Sequence, residues 1–215
     1  MSRQEREVLI HQVYHDLKEL ISSGTLKPGE KLYQQRIADM LGVSRTPLLK
    51  AFHILEQEMY LESIPGRGMY VRSVNMNDIL STFECRQGIE TTAVRILTSV
   101  ITEEELNKLY SFFEPFLNSK NIDLKLYLEA DSDFHFSIVQ MSRNDYLIRM
   151  NKLANIQKMT YRQGLIRDPS ETLPEHLKII SALETRDTGL AEEYMRNHIR
   201  KSIIAIRERI FAEAE

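Results

Sequence analysis

Apolar residues recur at three- and four-residue spacing from Arg6 to Ser22, where Leu9, Val13, Leu17, Leu20 and Ile21 share one face. The pattern predicts a helix that Gly24 stops. Thr25–Glu30 holds a Pro28-Gly29 turn, and a short second helix follows from Gln34 to Met40, with Ile37, Met40 and Leu41 turned inward. Gly42 ends it, Ser44 is placed to cap the next, and Pro47 fits a first turn. That third helix, Arg45 to Gln57, buries Leu48, Leu55 and either Phe52 or Ala51. Two β-favouring stretches, Tyr60–Ile64 and Met69–Val74, flank Pro65-Gly66-Arg67-Gly68, which reads as a hairpin with a basic tip. Three helices and a hairpin in this order make a winged helix-turn-helix.

Beyond Asn75 the two-residue alternation disappears and helical spacing takes over. Six segments are expected, at 76–98, 103–117, 122–141, 145–163, 171–186 and 189–213, with Thr102 and Asp187 as caps. The predicted fold class is therefore mostly α: a winged helix-turn-helix over residues 1–74, then an all-helical bundle over 75–215, with Asn75–Asp78 as a polar linker.

With 215 residues and 42 % apolar side chains, the chain can fill two such cores. Its one cysteine, Cys85, excludes an internal disulfide and is expected to be a small core residue. No signal-peptide pattern or 18-residue apolar run is present, so a cytoplasmic protein without a membrane partner is expected. The net charge of −3 argues against a generally basic nucleic-acid coat. It is split unevenly, as +1 over residues 1–73 and −4 over the remainder.

That small split permits a DNA-binding front and a solvated back. No acidic residue lies between Gly42 and Leu55, so phosphates would meet no like charge there. Arg45 can fork onto a guanine edge or a phosphate, Ser44 and Thr46 can donate to phosphate oxygens, and Lys50 follows on the same helix. Arg67, between Gly66 and Gly68, can bring the wing tip close to a neighbouring minor groove. The plainer alternative is a capped helix start and a solvated turn.

The stretches ISSGTLKPGEKL, IADMLGVSRTPL and IPGRGMYV, within Ile21–Val71, resemble the DNA-binding domain of GntR-family bacterial transcription regulators. The resemblance implies a homodimer on double-stranded operator DNA, with Arg45 on the DNA and the Gly66–Gly68 tip alongside. The chain departs from the family where Leu49-Lys50 replaces an Arg-Glu pair. Leu49 cannot make the polar contact, which leaves Lys50 to compensate.

The later half carries a second chemistry. Asp131 and His135 are four residues apart and share a helix face, whereas Asp133 points elsewhere. His176 and His198 each lie eleven residues from Asp187, so an antiparallel helix pair turning there sets them level, roughly 16 Å down each helix. Three imidazoles and a carboxylate suit a divalent metal: zinc first, then nickel, cobalt or manganese. His11 and His15 also sit four apart, with nothing to complete a site.

The clusters Asp131-Ser132-Asp133-Phe134-His135, Glu175-His176 and Met195–Ile199 resemble the FCD effector domain of the FadR branch, in its six-helix, VanR-like form. The resemblance implies a metal-assisted pocket for a small carboxylate effector, with Arg86 facing it. An ion pair with Glu90 on a surface helix is the alternative for Arg86. The expected function is a ligand-responsive transcription regulator, repressor or activator, and not an enzyme. The competing readings are a metal-dependent hydrolase built on the Asp/His site, with Glu129 or Asp133 as base, and a regulator whose metal is purely structural.

Overall fold

A computed structural model describes residues 3–119, 121–153 and 164–214. The chain divides into two compact units, Met1–Val74 and Asn75–Glu215. The expectation that a helix runs on to residue 163 falls partly outside the described residues.

The first unit runs α1 (Arg3–Ser22), β1 (Lys31–Leu32), α2 (Gln34–Leu41), α3 (Arg45–Gln57), β2 (Leu61–Ile64) and β3 (Gly68–Val71). Val13, Leu17 and Ile21 of α1 pack with Ile37 and Ala38 of α2 and with Leu48, Ala51, Phe52 and Leu55 of α3 in one core. Phe52 and Ala51 are both buried. Met40 is 46 % exposed, contrary to expectation, because Ile37 and Ala38 occupy the inner face of this two-turn helix. Gly42 closes α2 in the left-handed region at φ 65°. The hairpin gains a strand that periodicity could not announce: the two-residue β1 pairs antiparallel with β3, giving the order β1-β3-β2.

The second unit contains α4 (Met76–Val100), α5 (Glu103–Ser111), a 3₁₀ turn (Glu114–Phe116), α6 (Leu124–Met141), α7 (described over Asp145–Leu153), α8 (Pro169–Glu184) and α9 (Thr188–Ala214). Asn75 and Asp78 do not form a linker. They close a capping box on α4, each side chain accepting from the other's backbone N–H. Thr102 and Glu105 repeat the device on α5, and the Asp187 carboxylate accepts from Leu190 N–H at the start of α9. The expected helix over 103–117 breaks after Ser111, since Pro115 has no N–H to donate and its ring crowds the preceding turn. Cys85 is exposed: α4 turns Phe83, Arg86, Ile89 and Glu90 inward and leaves Cys85 on the other face.

Candidate metal centre and nucleic-acid interface

In the first unit the core fixes one face of α3 and leaves the other in solvent. Pro47 and Leu48 are buried, while Ser44, Arg45, Thr46, Leu49 and Lys50 are exposed. Ser44 has the extended backbone of an N-cap, yet its side chain makes no cap hydrogen bond. Its hydroxyl is therefore not taken up by helix capping. Arg45 donates from Nε and Nη2 to Gln35 Oε1 of α2 at 3.1 and 2.7 Å, which orients the guanidinium across the two helices. The wing turns at Pro65-Gly66, where Arg67 N–H returns to the Ile64 carbonyl at 2.9 Å. Gly66 (φ +72°) and Gly68 (φ +102°) take conformations that side chains disfavour, and Arg67 between them is exposed. Sequence reasoning missed Gln35, ten residues from the arginine it orients.

In the second unit Asp131 and His135 of α6, His176 of α8 and His198 of α9 come together, all buried, with one ligand atom of each within 4.8 Å of the others. The turn after α8 does set His176 and His198 level, their ring centroids 4.5 Å apart. Nε2 of His135 is 3.3 Å from Nε2 of His176 and 3.2 Å from that of His198, and His176 Nε2 is 3.1 Å from Asp131 Oδ1. Ligands held at zinc–nitrogen bond lengths on a tetrahedron stand about 3.3 Å apart.

The outer nitrogens explain why the inner ones converge. His135 Nδ1 donates to Glu90 Oε2 at 2.6 Å, and His198 Nδ1 donates to Glu175 Oε2 at 2.8 Å. Each bond leaves a lone pair on Nε2, aimed at the cluster. His176 Nδ1 lies 3.3 Å from the Tyr127 hydroxyl, itself 2.7 Å from Thr172, and its ring stacks on Phe113. Burial pushes all three imidazoles below their ordinary pKa, His198 to about 4, which favours the neutral, metal-binding form. Burial alone would raise Asp131. The His176 hydrogen bond and the surrounding imidazoles outweigh it, holding the carboxylate ionised. Lone pairs on His135 and His198 Nε2 and the Asp131 anion face one point, and His176 offers a third once its Nε2 proton is displaced, so the donor set fits a divalent metal.

Arg86 lies on the buried face of α4, not in solvent, and it does pair with Glu90, at 2.8 Å. It also lines, with Asp131, His135, His198 and Arg167, a cavity of about 20 Å³. Asp133 and Glu129 are exposed. Sequence reasoning missed Glu90 and Glu175 as partners of the histidines. The missed signal was an acidic residue one turn from Arg86 and another beside His176.

A winged helix-turn-helix followed in the same chain by a helical bundle is the build of a DNA-binding transcriptional regulator. Residues 9–71 match the bacterial regulatory proteins of the gntR family, and residues 81–201 match the FCD domain. The chain belongs to the GntR family, in the branch that carries an FCD domain. It is 30 % identical over 184 residues to the Nta operon transcriptional regulator of Aminobacter aminovorans, covering 85 % of this chain and 87 % of that one. It is 26 % identical over 203 residues to the transcriptional repressor RspR of Escherichia coli, covering 92 % and 88 %. In fold it is similar to Escherichia coli McbR/YncC, with a TM-score of 0.67, 22 % identity, and 94 % and 98 % of the two chains covered. Among the described residues no helix is long and apolar enough to cross a membrane.

Proposed function

We propose that this chain is a ligand-responsive repressor that binds operator DNA as a homodimer and senses a small organic acid at a metal-centred pocket. The convergence of three histidine Nε2 atoms and the Asp131 carboxylate carries the sensing half of this reading. Asp131, His135, His176 and His198 would hold the metal, zinc by preference, and the metal would supply a Lewis-acid site for an acid's oxygen. Arg86 and Arg167 line the cavity and would offer it guanidinium N–H donors for a carboxylate. A space of about 20 Å³ holds one water-sized group, so a larger acid must displace part of the lining. Such a displacement is a differential contact by which a ligand can bias the arrangement of the DNA-binding units.

On DNA, Arg45 reads a base edge in the major groove, Ser44, Thr46 and Lys50 hold phosphates, and the Gly66-Arg67-Gly68 tip follows the adjacent groove. A dimer sets two such helices on successive half-sites. The name of the RspR relative supports repression. The enzyme reading gains nothing from the geometry. Among the described residues lining the cavity, the one carboxylate is Asp131, a member of the cluster itself, and no second base stands ready.

The test measures binding of the full-length protein to the DNA upstream of its own gene, with and without zinc and a panel of small carboxylic acids. One acid should shift the affinity only when zinc is present. Thermal melting should show separate stabilisation by zinc and by that acid. Zinc that stabilises while no acid moves either DNA affinity or melting would reduce the metal to a structural role.

A further inference from the structure

Arg86 and Glu90 stand one turn apart on α4, at 2 % and 1 % exposure. Arg86 Nε donates to Glu90 Oε1 at 2.8 Å, and His135 Nδ1 donates to Oε2 of the same carboxylate at 2.6 Å. The Phe83 ring lies 4.8 Å from the guanidinium carbon and holds it from one side. A buried ion pair costs desolvation that well-packed apolar side chains at the same positions would avoid. Helix α4 needs neither charge in order to form, so the pair calls for a reason outside the helix.

A second carboxylate is held in the same way. Glu175 accepts from His198 Nδ1 and, through both its oxygens, from Arg167 at 2.8 and 2.9 Å, with Lys201 as a further donor. A cation, a carboxylate and a ligand histidine thus recur in series: Arg86 and Glu90 of α4 with His135 of α6, and Arg167 ahead of α8 with Glu175 of α8 and His198 of α9. The third histidine leans on a neutral hydroxyl instead.

We infer that Arg86 is a positioning residue that acts on the metal centre through Glu90. By pinning Oε1, Arg86 fixes the direction in which Oε2 is offered. Oε2 in turn sets the His135 ring angle and keeps its proton on Nδ1, so that the Nε2 lone pair faces the other donors. The inference rests on the metal reading above and adds a route by which a group arriving at Arg86 is felt at the ligand set.

The experiment measures zinc affinity of the full-length protein by competition with a chelating dye, together with the visible spectrum of the cobalt-loaded form. It compares wild type, Arg86→Met, Glu90→Gln and the double variant. Glu90→Gln should weaken zinc binding about ten- to a hundredfold. Arg86→Met should weaken it less, and the double variant should bind no more weakly than Glu90→Gln alone. The cobalt bands should shift in each variant, which a role confined to fold stability would not produce. Additive losses in the double variant, or unchanged zinc affinity and cobalt spectrum in Glu90→Gln, overturn the inference and leave the metal reading standing. Glu90→Gln removes the carboxylate charge that Arg86 pairs with at 2.8 Å. If it does not fold, the double variant, which buries neither charge, decides alone: a tenfold or greater loss supports the inference and an unchanged affinity overturns it. A wild-type protein that binds neither zinc nor cobalt overturns the metal reading and this inference together.

Discussion

Ser44, Arg45, Thr46 and Lys50 stand in solvent on a helix whose opposite face is held in the first core, whereas His135, His176 and His198 lie buried on three helices of the second unit. The exposed set depends mainly on local pattern: a helix start, a basic residue, an apolar stripe at the right spacing, with Gln35 ten residues away orienting Arg45. The buried set depends on partners that the chain delivers from far away, 45 residues separating Glu90 from His135 and 63 separating His135 from His198. Polar groups can be left in water at little cost, but buried ones must each be satisfied. The proposed site of the second unit is therefore a network, and that of the first is a set of exposed side chains.

Removing one ligand should break that contrast most severely. His135→Ala takes away the imidazole that faces both His176 and His198, and zinc affinity should fall by about a hundred- to a thousandfold. Chelator competition reads the loss, with circular dichroism to confirm the helical fold. A fall of less than tenfold would mean that His135 is not a ligand.

The recognition helix should respond more mildly, because each contact acts alone. Arg45→Ala should weaken operator binding by about ten- to a hundredfold, the worth of one bidentate base contact, in fluorescence anisotropy at fixed salt. Lys50→Ala should weaken binding evenly across sequences and lower the salt slope by about 1. Retained affinity in Arg45→Ala would refute the assigned contact.

How much could be read from sequence follows the same division. The spacing of Leu9, Val13 and Leu17, the Gly42 stop and the Pro65-Gly66 turn are local, and they place the winged helix without further help. Asp131 with His135 is also local, and the His176/His198 level follows from one turn. Glu90 and Glu175 as the histidines' orienting partners were not legible, since nothing in an i, i+4 pattern tells which side of α4 or α8 meets α6 or α9. The helix break ahead of Pro115 and the exposure of Cys85 and Met40 lost out for a similar reason. An apolar side chain or a helix-favouring run permits burial or continuation, but neighbours in space decide it.

Acid should separate the two units again. The folded state holds His198 at about 4, below the ordinary 6.5, so between those values the unfolded chain takes up a proton that the folded chain refuses. Stability of the metal-free protein is complete above pH 6.5 and falls as pH drops toward 4. His135 and His176, shifted in the same direction, steepen the fall. Thermal melting of chelator-treated protein across this range checks the sign, and zinc should delay the loss by holding the imidazoles neutral. A melting temperature indifferent to pH from 7 to 4 would contradict the burial of these rings.

The smallest expected effect discriminates most finely, because Ser44 is the residue of the proposed DNA-facing set that stands at a helix-capping position. Were its hydroxyl a helix cap, Ser44→Ala would cost about 1 kcal/mol of stability. In the structure the Ser44 backbone is in the capping conformation but the side chain accepts no hydrogen bond from α3, so removing the oxygen should leave urea unfolding nearly unchanged. The loss should appear on DNA instead, as one neutral phosphate hydrogen bond worth about 0.5–1.5 kcal/mol, or a few-fold in affinity. Stability lost with affinity intact would return Ser44 to a capping role. Affinity lost with stability intact would show that even the plainest residue of α3 acts by standing in solvent, in contrast to the buried histidines of the second unit.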